Sequence, residues 1–253
     1  MKFQCSACGK CCSNIKGLVS SSEKKFISEY GYGKLPLVQV IPVDELTFPL
    51  WDFEAKRFRA YAEEQKIDAR IRPSRGIFDL DSNKFVVVTY HMNSKACPFL
   101  LKGGKCAVYD NRRALICNLF PFNKSPFFPG AEPVFGECPN IAPILDKLGS
   151  ADKSALAGQL HRAFGDTFLA AVQHDFVMDW SNKLILELMR KGKIRPAMNY
   201  PYDKLLKRIS NSEKIDFMDF LVEIGHESRE GINETARRFE SYKDARKKIN
   251  GPA

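Results

Sequence analysis

The opening stretch "MKFQCSACGKCCSN" (residues 1–14) puts four cysteines, Cys5, Cys8, Cys11 and Cys12, into eight positions. The first three are spaced C-x2-C-x2-C, which lets a loop wrap one inorganic core and aim three sulfurs inward. Bacterial ferredoxins hold three corners of a [4Fe–4S] cubane with this spacing and take the fourth sulfur from a distant cysteine followed by proline. Two such cysteines lie downstream, Cys97-Pro98 and Cys138-Pro139. Cys12 touches Cys11 along the backbone. Neighbouring Cα atoms are about 3.8 Å apart and their side chains usually diverge, so the pair is expected to serve two different, closely spaced centres. Cys5, Cys8 and Cys11 would belong to one and Cys12 to the other.

Four further cysteines, Cys97, Cys106, Cys117 and Cys138, bring the number to eight, two four-thiolate sites. Spacing does not set how these four divide between the centres. Tetrahedral zinc sites usually pair two C-x2–4-C knuckles; only one end here is knuckle-like, so the spacing favours iron–sulfur, with two zinc ions as the alternative. A disulfide framework suits small secreted domains, and buried apolar cysteines do not cluster four to eight residues of polar sequence.

The rest of the composition is that of an ordinary globular chain of 253 residues, 44% hydrophobic and 27% charged. No apolar run reaches the roughly 18 residues of a membrane span. "MKFQCSACGK" lacks the apolar core of an export signal, so a cytoplasmic, reducing location is expected. The net charge is +9 with every thiol counted neutral. Two loaded four-thiolate centres of net −2 each would lower it to about +5. Basic excess therefore serves the cysteine site before it argues for nucleic acid, which is not an expected partner.

Periodicity fills in the scaffold. "KLPLVQVIPV" (34–43) reads as a strand, and "FEAKRFRAYAEEQK" (53–66) as a helix with Phe53, Phe58 and Tyr61 on one face. "ARIRPSRGIFDL" and "KFVVVTYHM", joined by "DSN", read as a β-hairpin. A second turn, Lys102-Gly103-Gly104-Lys105, follows, and "NRRALICNLF" (111–120) is a short helix ended by Pro121. Residues 121–143, rich in Pro, Gly and Phe, form an irregular wrap carrying Cys138. From about 150 the pattern is helical, including "SEKIDFMDFLVEIG" and "ETARRFESYKDARKKIN". The expected fold is α+β: a cysteine-rich metal-binding domain of short strands and long loops over 1–149, then an all-helical domain over 150–253, the surface on which a protein partner would dock.

These motifs resemble the CxxCxxCC-type zinc- or iron-chelating family, the YkgJ-like cysteine-cluster proteins. "CSACGKCC" matches the family's opening; "CPFL" (97–100), "CAVY" (106–109) and "RALICNLFP" (113–121) match its later segments. The resemblance implies Cys5, Cys8, Cys11, Cys12, Cys97, Cys106 and Cys117 as ligands, with Cys138 as the eighth. Ala114 stands where the family has proline, and Asn118 where arginine is common; neither is a ligand type. Some relatives resemble flagellin lysine N-methylases, which gives an enzyme reading by analogy alone.

Other candidates carry less. His161 and His174 are 13 residues apart in the helical half, near Asp175 and Asp179, too far along one helix to share a metal. His91 follows a strand ahead of Cys97 and is not expected to ligate. Gly-x-Gly in "YGYGK" (30–34) lacks the strand–loop–helix setting of a nucleotide loop. Lys102 and Lys105 are placed to offset thiolate charge or to face solvent. Arg237, Arg238, Lys243, Arg246, Lys247 and Lys248 alternate with acids on an amphipathic face. The expected function is an iron–sulfur protein in electron transfer, redox sensing or maturation within a larger assembly. The alternatives are a zinc-stapled protein-interaction module and a protein lysine N-methyltransferase.

Overall fold

The computed structural model describes residues 2–16, 36–109, 113–122, 136, 138–148 and 153–250. The fold is α+β, 49% helical and 14% strand. The Gly-x-Gly stretch at 30–34 and most of the expected wrap over 121–143 lie outside the described residues.

The chain divides into two compact units, each built from separate pieces. One takes 1–13, 99–180 and 235–253; the other takes 14–98 and 181–234. The compositional boundary expected at 149/150 falls inside the first unit. A change in sequence character marks a change in local structure, whereas a unit is defined by which segments pack together.

The second unit is organised by the expected hairpin, β3 (Ile71–Asp79) against β4 (Lys84–Met92). Its turn is locked locally: the Asp79 carboxylate accepts from the Ser82 amide at 2.9 Å and the Ser82 hydroxyl at 2.6 Å, and Asn83 takes φ 57°, a conformation asparagine tolerates. β1 (Val38–Gln39) pairs antiparallel with β3, so among the described residues of the strand expected at 34–43 these two enter the sheet. β2 (Leu50–Trp51) and β5 (Lys214–Asp216) share the far edge of β4, antiparallel and parallel respectively. β5 lies in a stretch that reads as helix; its register, Phe85 opposite Lys214 and Val87 opposite Asp216, is set by a strand some 130 residues earlier, beyond the reach of local periodicity.

α2 (Asp52–Glu64) forms where the sequence places it. Glu54 accepts from the Trp51 amide at 3.0 Å, satisfying one orphan donor of the first turn. Asp52 is buried and accepts from the Phe53 amide at 2.8 Å and from the Met218 amide at 2.7 Å. It thus ties α2 to the start of α8 (Phe217–Glu223). α7 (Tyr202–Asn211) completes this unit together with the ends of two helices named below.

The first unit holds α1 (Lys10–Ser13), α3 (Leu115–Leu119), α4 (Ala142–Leu148), α5 (Lys153–Phe164) and α10 (Lys243–Asn250). It also holds most of α6 (Asp166–Arg190) and the second half of α9 (Arg229–Glu240). One periodic run predicts a continuous helix across 160–172; Gly165, at φ 53°, breaks it into α5 and α6. Leu119, Phe122, Ile141, Ile144, Leu160, Phe164, Phe168 and Leu169 form the core. Buried Gln173 fastens α10 by donating to Asp244 at 3.0 Å and accepting from the Ala245 amide at 3.1 Å. Among the described residues no helix is long and apolar enough to cross a membrane.

Burial raises the Asp52 carboxyl to about 7, its backbone donors opposing the rise and the Asp216 charge adding to it. A carboxyl raised on folding stabilises the fold fully below its unfolded value, near 3.8, and loses that contribution as pH climbs through 7. Asp52→Asn removes this titration. The variant-minus-wild-type difference in unfolding free energy should move in the variant's favour between pH 4 and 7.5, by on the order of 4 kcal/mol. Urea titrations at four pH values measure it; a difference independent of pH would contradict the assignment.

Candidate metal centre

The leading loop is positioned from behind. Phe3 donates its amide to the Ala163 carbonyl at 2.7 Å and packs its ring 5.4 Å from Phe164, on the core of the first unit. One residue on, the Gln4 carbonyl accepts from the Asn140 side chain at 3.0 Å. The chain therefore enters Cys5 already fixed on α5 and on the segment that carries Cys138.

Between the cysteines the backbone turns twice into the left-handed region, at Ala7 (φ 51°) and Gly9 (φ 72°). Gly9 is required there on two counts. A Cβ would meet the Gly104 carbonyl oxygen and a Leu100 methyl at 2.9 Å each, and the positive φ is costly for any residue with a side chain. The Gly9 carbonyl then accepts from the amides of Cys12 at 3.0 Å and Ser13 at 2.9 Å, opening α1. In this short turn the Sγ atoms of Cys11 and Cys12 lie 3.6 Å apart. The divergence expected of adjacent side chains is absent.

The Leu100 and Gly104 contacts belong to a small hairpin. Ala107 donates to the Phe99 carbonyl and Leu101 to the Lys105 carbonyl, both at 2.8 Å, with Leu100 bridged to Cys106. Gly103 and Gly104 take φ 88° and 82° at its tip, as the turn expected at 102–105 requires, while Lys102 and Lys105 are exposed. Cys106 stands on the returning arm. Cys117 sits in α3, its amide bonded to the Ala114 carbonyl at 3.0 Å. Ala114 precedes that helix at φ −68°, ψ 159°, a conformation proline also adopts, so alanine replaces the family's proline without changing the backbone. Cys138 packs against the core beside α4.

Seven of the eight cysteines thus belong to the first unit: Cys5, Cys8, Cys11, Cys12, Cys106, Cys117 and Cys138. Cys97 lies at the edge of the second, two residues before Phe99, where the first unit resumes. Cys5 and Cys8 are exposed and the others half-buried, all as free thiols. The Cys11 thiol is pushed far upward by its hydrogen bond with Cys12, then by burial and by the Cys12 charge. Burial raises the Cys106 thiol, and the charges of Cys11 and Cys5 push the same way. Cys138 is raised by burial, with Cys8, Cys5 and Cys11 adding to it. Cysteines of the leading loop and of the segment 106–138 are therefore close enough for the charge of one to act on another.

Arg113 opposes this repulsion, lowering both Cys11 and Cys106. Its guanidinium lies 4.3 Å over the Tyr109 ring, and the Tyr109 hydroxyl donates to the Cys5 carbonyl at 3.4 Å. Charge sequence alone does not single out Arg113 from its neighbours; its stacking on the aromatic residue that follows Cys106 does. Among the described residues no group of three or more His, Cys, Asp or Glu side chains is arranged to hold a metal ion as it stands. The donor set nevertheless suits a thiophilic metal: sulfurs gathered with a cation beside them, in a state in which protonated thiols bond one another. Binding replaces those protons and couples to local folding.

The remaining candidates fall elsewhere. His161 packs its ring 6.1 Å from Phe168 on the core, and burial holds His174 at about 4, hence neutral. His91 is buried in the second unit. The basic residues of the last helices are partly engaged within the first unit: Arg238 reaches Asp244 at 3.4 Å, Arg246 reaches Asp166 at 3.3 Å, and Lys248 lies 5.4 Å over Phe176.

Comparison with known proteins gives one match. Residues 4–134 fit the family described as "CxxCxxCC: Putative zinc- or iron-chelating domain". No curated protein and no solved structure matches the chain.

Metal loading requires thiolates, so it should weaken as pH falls. Arg113→Met keeps the side chain's length and removes the charge that lowers Cys11 and Cys106. The pH at which half the metal is retained should rise by about half a unit or more. Metal content after equilibration across pH 5–8 checks this; an unchanged midpoint would remove Arg113 from the site.

Proposed function

The chain belongs to the zinc- or iron-chelating CxxCxxCC family, and on that premise we propose that its eight cysteines hold two adjacent [4Fe–4S]-type centres. Cys5, Cys8 and Cys11 serve one, Cys12 the other, and Cys97, Cys106, Cys117 and Cys138 complete them. What carries this reading is that Cys11 of the leading loop and Cys106 and Cys138 from downstream are each pushed upward in part by the charge of other cysteines. Sulfurs so gathered gain most from an inorganic core that takes their charge. When bound, a cluster supplies one-electron chemistry that side chains lack. The protein's share is to set the potential through burial, backbone donors and the Arg113 charge. The role that follows is electron transfer, redox sensing or maturation in the cytoplasm, with the helical part of the chain docking a protein partner.

One observation favours zinc as a second reading. With Zn–S bonds of about 2.3 Å, the edge of a tetrahedral four-thiolate site is about 3.8 Å, close to the 3.6 Å between the Cys11 and Cys12 sulfurs. In that case the metals staple loops, and the protein is an interaction module. The methyltransferase reading rests on analogy alone.

Anaerobic purification with iron, zinc and sulfide analysis separates the readings. Brown protein with equal iron and acid-labile sulfide, about eight of each per chain, is expected for two cubanes; colourless protein with two zinc ions would replace them. Cys11→Ser and Cys12→Ser should each lose one centre and the double variant both. A double variant that loses no more metal than either single one would mean a shared centre.

A further inference from the structure

The sheet of the second unit has two faces of different character. Tyr90 and Met92 point to one. The Tyr90 hydroxyl is bonded to the Asp216 carboxylate, and the Arg59 guanidinium of α2 lies 4.1 Å over its ring. The alternate residues of β4, Thr89 and His91, occupy the other face. Register sets their neighbours: Arg72 opposes His91, Arg75 opposes Thr89, and Gln39 of β1 opposes Arg75.

These polar groups lack what buried polar groups normally have. His91 is 1% exposed, yet neither ring nitrogen has a hydrogen-bond partner. The Gln39 Oε1 atom is buried and unpartnered, while its Nε2 donates to the Ile41 carbonyl at 3.1 Å. Arg75 is half-buried and makes no ion pair or side-chain hydrogen bond among the described residues; burial alone pulls its guanidinium below the usual value. The charged groups around His91 are Glu45, Arg72 and Lys16, of which Glu45 and Lys16 stand 4.0 Å from each other. Arg72 is exposed, and Arg75 is the half-buried positive charge on this face without a carboxylate partner among the described residues. Arg75 also sits where the ladder is irregular on both sides, between Pro73 and Gly76. Such bulges re-aim side chains and are enriched beside functional sites.

Orphaned buried polar atoms are rare in folded proteins and call for a missing partner. Arginine's planar fork is matched to carboxylate and phosphate oxygens. We infer that this face of the sheet binds a small organic oxyanion, a carboxylate or phosphate, whose charge rests on Arg75 and whose remaining polar atoms reach Gln39 and His91. Thr89 and His91 are about 7 Å apart along the strand, so the ligand extends beyond its anionic group. An acceptor at Gln39 Oε1 selects ligands that also carry a hydroxyl or amine donor. This site is made by the second unit alone and is independent of the metal reading.

The test uses the metal-loaded full chain, titrated with inorganic phosphate and with malate at constant ionic strength and followed by melting temperature and calorimetry. A saturable rise with phosphate assigns the site to phosphate esters, and one with malate to hydroxy acids; either supports the inference. Arg75→Met should weaken that binding at least tenfold with metal content unchanged. Without ligand it should melt at or above wild type, because an uncompensated charge has been replaced by an apolar chain. Should Arg75→Met melt far lower, His91→Phe carries the same comparison. No saturable response to either anion, or equal affinity in the well-folded variant, overturns the inference.

Discussion

Sulfur atoms that repel one another as thiolates are held together in one compact unit, and the arrangement around them follows from that constraint. Phe3 and Asn140 hold the entry to the leading loop, Gly9 lets it approach the 99–107 hairpin to within backbone contact, and α4 brings Cys138 to the same core. In the free-thiol state Cys11 and Cys12 relieve the repulsion by sharing a proton-mediated contact at 3.6 Å. Arg113 relieves it by placing a fixed positive charge beside Cys11 and Cys106. A metal core would relieve it most completely, which is why the proposed function is a statement about charge before it is one about electrons.

The second unit follows a different logic. Its sheet is built on a conventional hairpin whose apolar residues, Ile77, Phe78, Phe85 and Val86, are fully buried. Its polar residues are distributed unevenly. Asp52 is satisfied by two backbone donors, and Lys56 lies 2.6 Å from Asp219, so on that side burial and bonding go together. The His91 ring nitrogens and the Gln39 side-chain oxygen Oε1 are buried without bonding. Natural folds retain such expense where a ligand or a reaction repays it.

Local patterns in the sequence reached a good part of this architecture. The helix over 53–66, the hairpin around "DSN", the turn at 102–105 and the short helix before Pro121 all have local causes, and each appears within a residue or a few of its expected place. β5 was invisible because Lys214–Asp216 becomes a strand only by pairing with β4. The break at Gly165 was missed because periodic apolar residues continue through it on both sides. The interleaving of the two units has no composition signature, since α6 and α9 each supply both.

The number, order and spacing of the cysteines are determined by the sequence alone, and with them the family and the chelating chemistry, because thiolate ligation depends on residue type and on short loop lengths. Tertiary structure alone decided that Arg113 stacks on Tyr109 beside Cys5, that Gly9 meets Gly104, that Cys97 falls at the edge of the other unit, and that Arg75 and His91 share a sheet face. Those relations join positions tens to a hundred residues apart or depend on strand register. They are fixed by packing and pairing between segments, which no local spacing encodes.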